Sequence, residues 1–150
     1  MTVNSIMNTT PLTIPPEATF GEAVQTLIER RVRNLPVVDA TGIYRGMFDL
    51  YDIWKQLLPR AVLLQDKFLE DLSFFSGSLS DLKQKLGSAA TKPVTEFLDD
   101  KQTPPVHPET PIEEVILLLF RHDGAIPVIE KNTRRFFGIV TAWEILNALR

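Results

Sequence analysis

The 150-residue chain contains no cysteine, which removes disulfide scaffolds, thiol nucleophiles and thiolate metal centres from consideration. Only two histidines are present, His107 and His122. Neither has a third ligand at helical spacing, so no metal is expected. The seven glycines are scattered and build no phosphate loop. No Ser-His-Asp arrangement is readable, so no catalytic residue and no enzymatic activity are expected. Charge is nearly balanced: 16 Lys and Arg against 19 Asp and Glu leave a net −3. A nucleic-acid partner, which needs a basic footprint, is therefore not expected. The longest apolar run, Val115 to Phe120, falls far short of the ~20 residues that cross a bilayer. The start, Met1-Thr2-Val3-Asn4-Ser5, lacks the basic and apolar regions of a signal peptide. A cytoplasmic location with no membrane contact is the expectation.

The chain does have enough apolar content, 44%, to exclude disorder and to fill the core of one ordinary domain. It also repeats itself. Pro16-Glu17-Ala18-Thr19-Phe20-Gly21-Glu22-Ala23-Val24 aligns with Pro108-Glu109-Thr110-Pro111-Ile112-Glu113-Glu114-Val115-Ile116. Asn34-Leu35-Pro36-Val37-Val38-Asp39 aligns with Ala125-Ile126-Pro127-Val128-Ile129-Glu130. Gly46-Met47-Phe48-Asp49-Leu50-Tyr51-Asp52 aligns with Gly138-Ile139-Val140-Thr141-Ala142-Trp143-Glu144. The offset stays at 91 or 92 across the three blocks, the mark of an internal duplication.

Each copy predicts the same β-α-β-β-α order. Thr10-Pro11 and Thr103-Pro104 open it with an extended piece, because the residue before proline avoids the helical region. Phe20, Ala23, Val24, Leu27 and Ile28 follow at helical spacing, as do Ile112, Val115, Ile116, Leu119 and Phe120. Thr19 with Glu22, and Thr110 with Glu113, have the spacing of capping boxes. Two strands come next, 35–38 with 43–48 and 126–129 with 136–140, each pair joined by a polar turn. A second helix closes each copy, Leu50 to Leu58 stopped by Pro59, and Ala142 to Leu149. Two such copies, each near the lower limit for folding alone, are expected to pack sheet to sheet around one shared core. The expected architecture is thus α+β, with units 1–59 and 92–150 flanking a helical insert, 60–91. In the insert, Val62, Leu63, Phe68, Leu69, Leu72 and Phe75 predict one helix. Leu79, Leu82 and Leu86 predict another that ends at Gly87. The insert either packs over the pair or offers a partner surface.

Taken together, the twice-repeated Leu35-Pro36-Val37-Val38-Asp39 and Ile126-Pro127-Val128-Ile129 resemble a tandem pair of CBS domains, a Bateman module. Ser5-Ile6-Met7, Glu96-Phe97-Leu98 and the Gly46 and Gly138 blocks carry the same resemblance. It implies a stand-alone regulatory module sensing an adenosine-containing ligand, AMP, ADP, ATP or S-adenosylmethionine, with no resident cofactor. It also implies a homodimer through the second helices, and a regulated protein whose identity is open. The alternative is a ligand-free homodimeric scaffold using the insert, with Phe68, Leu72, Phe74 and Phe75 as its surface.

The resemblance places phosphate on the hydroxyl of a Gly-led motif and the ribose on its acid. Carried over, Thr141 and Glu144 hold these positions in the second copy. Ala125, Ile126, Pro127 and Pro105 form the adenine slot. A charge-assisted hydrogen bond from ribose to Glu144 would contribute about 1.5–3 kcal/mol. In the first copy Asp52 takes the ribose position, Asn34 and Leu35 flank the adenine, and Asp49 stands where a hydroxyl is expected. Like charges about 4 Å apart cost about 4 kcal/mol at an effective dielectric of about 20. The first site is therefore expected to be empty or to take an uncharged end. Arg30, Arg31 and Arg33 read as a solvated helix end, with phosphate contact by Arg33 as the alternative. Trp54 and Trp143 read as core or dimer contacts.

Overall fold

The computed structural model describes residues 1–59, 63, 78–98 and 104–150. The order is a 3-10 turn at Val3–Ser5, then α1 (Phe20–Arg30), β1 (Asn34–Val38), β2 (Tyr44–Asp49) and α2 (Leu50–Leu57). After these come α3 (Leu79–Ala89), a second 3-10 turn at Val94–Phe97, α4 (Ile112–Arg121), β3 (Ile126–Ile129), β4 (Phe136–Val140) and α5 (Ala142–Leu149). Val62, Phe68, Leu69, Leu72, Phe74 and Phe75, which predict a first insert helix and a scaffold surface, lie outside the described residues, as does Thr103.

The two copies fold alike. β1 pairs antiparallel with β2, and β3 with β4. Ile14 and Val106 each add a parallel bridge, to Val37 and Val128 respectively, and so supply the opening strand of each unit. Both ladders shift register at the same place, between Val37 and Val38 and between Val128 and Ile129. A glycine faces each shift. Gly46 sits at φ +146, where a side chain would be strained. At Gly138 a Cβ would come within 2.2 Å of the Asn8 carbonyl oxygen.

Local chemistry explains most helix starts. Thr19 Oγ1 accepts from the Glu22 N–H (3.1 Å) while Glu22 accepts from the Thr19 N–H (3.2 Å), as the spacing predicts. The matching box at Thr110 does not form. The N-cap of α4 is Pro111, whose fixed φ of −61 already suits a helix entry. That moves Thr110 one residue outside the helix. Its hydroxyl instead accepts from the His107 N–H at 3.0 Å, closing the preceding turn. α3 is capped by Ser78 and Asp81 and runs through Gly87 to Ala89, past its predicted end. Leu86 and Ala89 pack against the first-half core, so this part of the insert covers that half.

The hairpin acids are equivalent as well. The Thr41 hydroxyl and the Ile43 N–H hold the Asp39 carboxyl below its ordinary range. The Thr133 hydroxyl and the N–H groups of Thr133 and Asn132 do the same for Glu130.

The core is not the single shared one expected. One cluster contains Phe20, Ala23, Leu27, Leu35, Val37 and Phe48, and a second contains Val115, Ile126, Val128, Val140 and Ile145. A third and smaller cluster, Tyr44, Met47, Ala125, Ile129 and Ile139, joins the halves. There the Tyr44 and Phe136 rings stack, 6.0 Å apart and 14° from parallel. Backbone bonds Tyr44 N–H to Arg134 O and Phe136 N–H to Gly42 O, both 2.9 Å, run across the seam.

The opening segments are exchanged. Val3, Ile6 and Met7 begin the chain but pack in the second-half core. Val94, Phe97 and Leu98 precede the second copy but pack in the first. Phe97 lies 4.6 Å from the Phe20 ring.

Candidate functional site

Strand register gathers the residues singled out in the sequence. Asn34 lies opposite Asp49 and Leu35 opposite Phe48, so the start of β1 meets the start of α2. Ile126 lies opposite Val140, which brings Ala125 and Pro127 beside the start of α5. Pro105 joins them because the neighbouring Val106 N–H donates to the Pro127 carbonyl at 2.9 Å. Each half thus has a mouth formed by a strand start and a helix N-terminus. The halves approach each other at residues 33–34 and 123–124. Arg33 lies 4.0 Å from Asp123 in an exposed pair. The Asn34 side chain reaches Gly124, which holds φ +133.

Both helix N-termini are capping boxes. Thr141 caps α5: its Oγ1 accepts from the Trp143 N–H (3.2 Å), and Glu144 Oε2 accepts from the Thr141 N–H (2.8 Å). The Thr141 hydroxyl itself donates to Glu144 Oε2. Asp49 caps α2: its Oδ1 accepts from the Tyr51 N–H (3.0 Å), and Asp52 Oδ2 accepts from the Asp49 N–H (2.9 Å). Asp52 is buried at 1% exposure. The sequence contains this signal, an Asp or Thr followed three residues later by an acid, so the side chains expected to hold a ligand also cap their helices. The two roles are compatible, because a carboxylate has a second oxygen to offer.

In the cluster that joins the halves, burial pushes the Tyr44 phenol well above its ordinary range. Arg134 opposes that shift and Asp49 adds to it. At the other edge of the second half, the His107 Nδ1 is buried without a hydrogen-bond partner. Among the described residues no three His, Asp or Glu side chains gather as a metal would require. No helix among them is long and apolar enough to cross a membrane.

Trp54 and Trp143 are not core residues, being 50% and 71% exposed. Ile28, Tyr51 and Trp54 in the first half and Phe120, Trp143 and Leu146 in the second are all exposed, and the two trios correspond at an offset of 92.

Comparison with known proteins agrees with this fold. The family model described as CBS domain matches residues 3–53 and 91–150. The choline transport ATP-binding protein OpuBA of Bacillus subtilis (strain 168) is 31% identical over 102 residues, covering 67% of this chain and 26% of its own length. The chain therefore spans about a quarter of that relative. The crystal structure of CBSX2 from Arabidopsis thaliana, a CBS-pair protein, superposes with a TM-score of 0.70 at 22% identity, covering 99% of this chain and 93% of that one. A second structure of CBSX2, in complex with AMP, gives 0.69 at 19% identity over 99% and 95%. The CBS domain pair of MJ0100, in complex with 5′-methylthioadenosine and S-adenosyl-L-methionine, gives 0.62 at 22% over 99% and 95%.

Proposed function

The chain belongs to the CBS domain family, and from that premise we propose that it is a regulatory, non-catalytic module that binds an adenosine-containing ligand. The carrying observation is the paired mouths. Each sets a strand start beside a helix N-terminus whose N3 residue is an acid, Asp52 or Glu144, able to accept ribose hydroxyls. Bound AMP in one structural neighbour, and 5′-methylthioadenosine with S-adenosyl-L-methionine in another, support this ligand class. Thr141, Glu144, Ala125, Ile126, Pro127 and Pro105 would hold it in the second half. Asp52, Asn34 and Leu35 would hold it in the first. Since the halves approach each other where the Asn34 side chain reaches Gly124, a ligand that prefers one relation of the halves would shift the module toward it.

Thermal denaturation with AMP, ATP and S-adenosylmethionine tests the reading. A ligand at about 100 times its Kd should stabilise the fold by about 2.7 kcal/mol. Thr141→Ala combined with Glu144→Ala should abolish the AMP shift. Absence of a shift with every adenosine compound would sink the proposal in favour of a ligand-free scaffold.

The exposed apolar trios support a second feature, a homodimer. Because the trios are equivalent about the internal axis, a second copy can meet the same face with its own. Trp143→Glu is expected to weaken self-association about 30-fold or more, as read by sedimentation equilibrium. A monomeric wild-type protein at high concentration would remove the dimer from the proposal. A cytoplasmic setting and a regulated partner protein belong to the same reading.

A further inference from the structure

We propose that the second half presents a docking strip for an amphipathic helix of a partner protein, the counterpart of the place that α3 fills on the first half. The inference names where a partner binds and does not depend on the adenosine reading.

α3 packs across α1 and α2. Its Leu82, Leu86 and Ala89 recur at helical spacing, and Leu86 and Ala89 join the first-half core. Lys85 Nζ donates to the Leu57 carbonyl at the end of α2, at 3.3 Å. The Gly21 N–H at the start of α1 donates to the Ala90 carbonyl, at 3.0 Å. Beside this helix Val24 and Leu57 are half-buried against the core. Their counterparts at the offset of 92, Ile116 and Leu149, are 41% and 72% exposed. The difference follows from how each half is entered. The Val94 N–H meets the Ala18 carbonyl at 2.7 Å, as the Val3 N–H meets that of Thr110 at 2.9 Å. The Phe20 N–H meets the Lys92 carbonyl at 2.8 Å, as the Ile112 N–H meets that of Met1 at 3.3 Å. Lys92 and Met1 are thus equivalent. Among the described residues, the helix that leads into Lys92 has no counterpart leading into Met1.

The surroundings of the strip specify its occupant. α3 leaves Ile28, Tyr51 and Trp54 exposed, so a helix seated likewise on α4 and α5 leaves Phe120, Trp143 and Leu146 free for a second copy. A second copy has its own α3 engaged in its own first-half core, so the helix comes from another protein. It carries leucine or alanine at the i, i+4 and i+7 positions, as α3 does. Its last turn differs from that of α3. Where Gly21 admits the Ala90 backbone, the second half has Glu113, with Glu114 next to it, both exposed. Two carboxylates facing the C-terminal end of a helix call for lysine or arginine in that turn.

The probes are two fluorescein-labelled peptides of the Ser78–Ala89 sequence, stapled to hold the helix, one with a lysine tail and one with a glutamate tail. They are titrated against the whole chain without any adenosine compound, so the result is separate from the ligand reading. Fluorescence anisotropy should show the lysine-tailed peptide binding about fivefold or more tightly than the other, a difference that narrows as salt rises. Leu149→Glu should weaken its binding about tenfold or more, and Ile116→Ser should act in the same direction. Both side chains are exposed, so the fold tolerates either change. Glu113→Lys should reverse the preference between tails. No binding of either peptide, binding indifferent to both strip variants, or equal affinity for the two tails would each overturn the proposal. So would a wild-type dimer that binds no peptide and that Leu149→Glu dissociates, because a second copy would then hold the strip.

Discussion

A chain lacking residues 1–9 is expected to lose the folded second half, although the deleted residues begin the first. Val3 is fully buried among Val106, Val115, Ile126, Val128 and Val140. The segment is sewn in by backbone bonds: Val3 N–H to Thr110 O at 2.9 Å, Asn4 N–H to Pro108 O at 3.0 Å, and Ile112 N–H to Met1 O at 3.3 Å. Asn8 and Ile139 exchange a further pair at 2.9 and 3.0 Å. Each such bond contributes about 0.5–1.5 kcal/mol, and burying a valine about 1.5–3 kcal/mol more. Together they rival the whole stability of a small domain, about 5–15 kcal/mol. Hydrogen exchange read by mass spectrometry should show α4, β3 and β4 losing protection while α1, β1 and β2 keep more of theirs. Unchanged protection across 112–140 would mean that the exchange of opening segments contributes nothing to stability.

Phe20→Ala is expected to lower the unfolding free energy by about 3–5 kcal/mol, the range for truncating a buried phenylalanine that leaves a cavity. Phe20 is 1% exposed. Its ring meets Phe48 edge-on at 5.5 Å and Phe97 at 4.6 Å. Because Phe97 lies on the segment that enters from the other copy, the substitution should also loosen residues 92–98. Those residues are otherwise held by Phe20 N–H to Lys92 O at 2.8 Å and Val94 N–H to Ala18 O at 2.7 Å. Urea unfolding measures the first effect and amide exchange the second. A loss below about 1 kcal/mol would show that the aromatic cluster is not the anchor of the first half.

Both expectations come from contacts the linear chain hides. The helices and strands were legible because their signals are local: apolar residues three and four apart in α1 and α4, and short apolar runs bounded by turn residues in β1 to β4. Duplication strengthened each signal by stating it twice. The one cap that failed, Thr110, failed for a local reason as well, since Pro111 supplies the helix entry by itself. The candidate site was legible as a list of residues, Thr141, Glu144, Asp49 and Asp52 among them. Their mutual hydrogen bonding was also available in the spacing, which is that of a capping box. The exposure of Trp54 and Trp143 was not available. Periodicity states that a helix has an apolar face, but only the surrounding elements decide whether that face is covered.

The amino-acid order by itself determined the repeated unit, the boundaries of its strands and helices, and the single charge by which Asp49 and Thr141 differ. Tertiary structure alone decided that each opening segment crosses to the other copy, that three clusters replace one core, and that strand register brings Asn34 beside Asp49 and Ala125 beside Thr141. The reason is separation along the chain. A residue's backbone preference depends on its near neighbours, whereas pairing Val3 with Thr110, or Phe20 with Phe97, closes loops of about 80 to 110 residues, a choice made only by which apolar surfaces fit when the whole chain condenses.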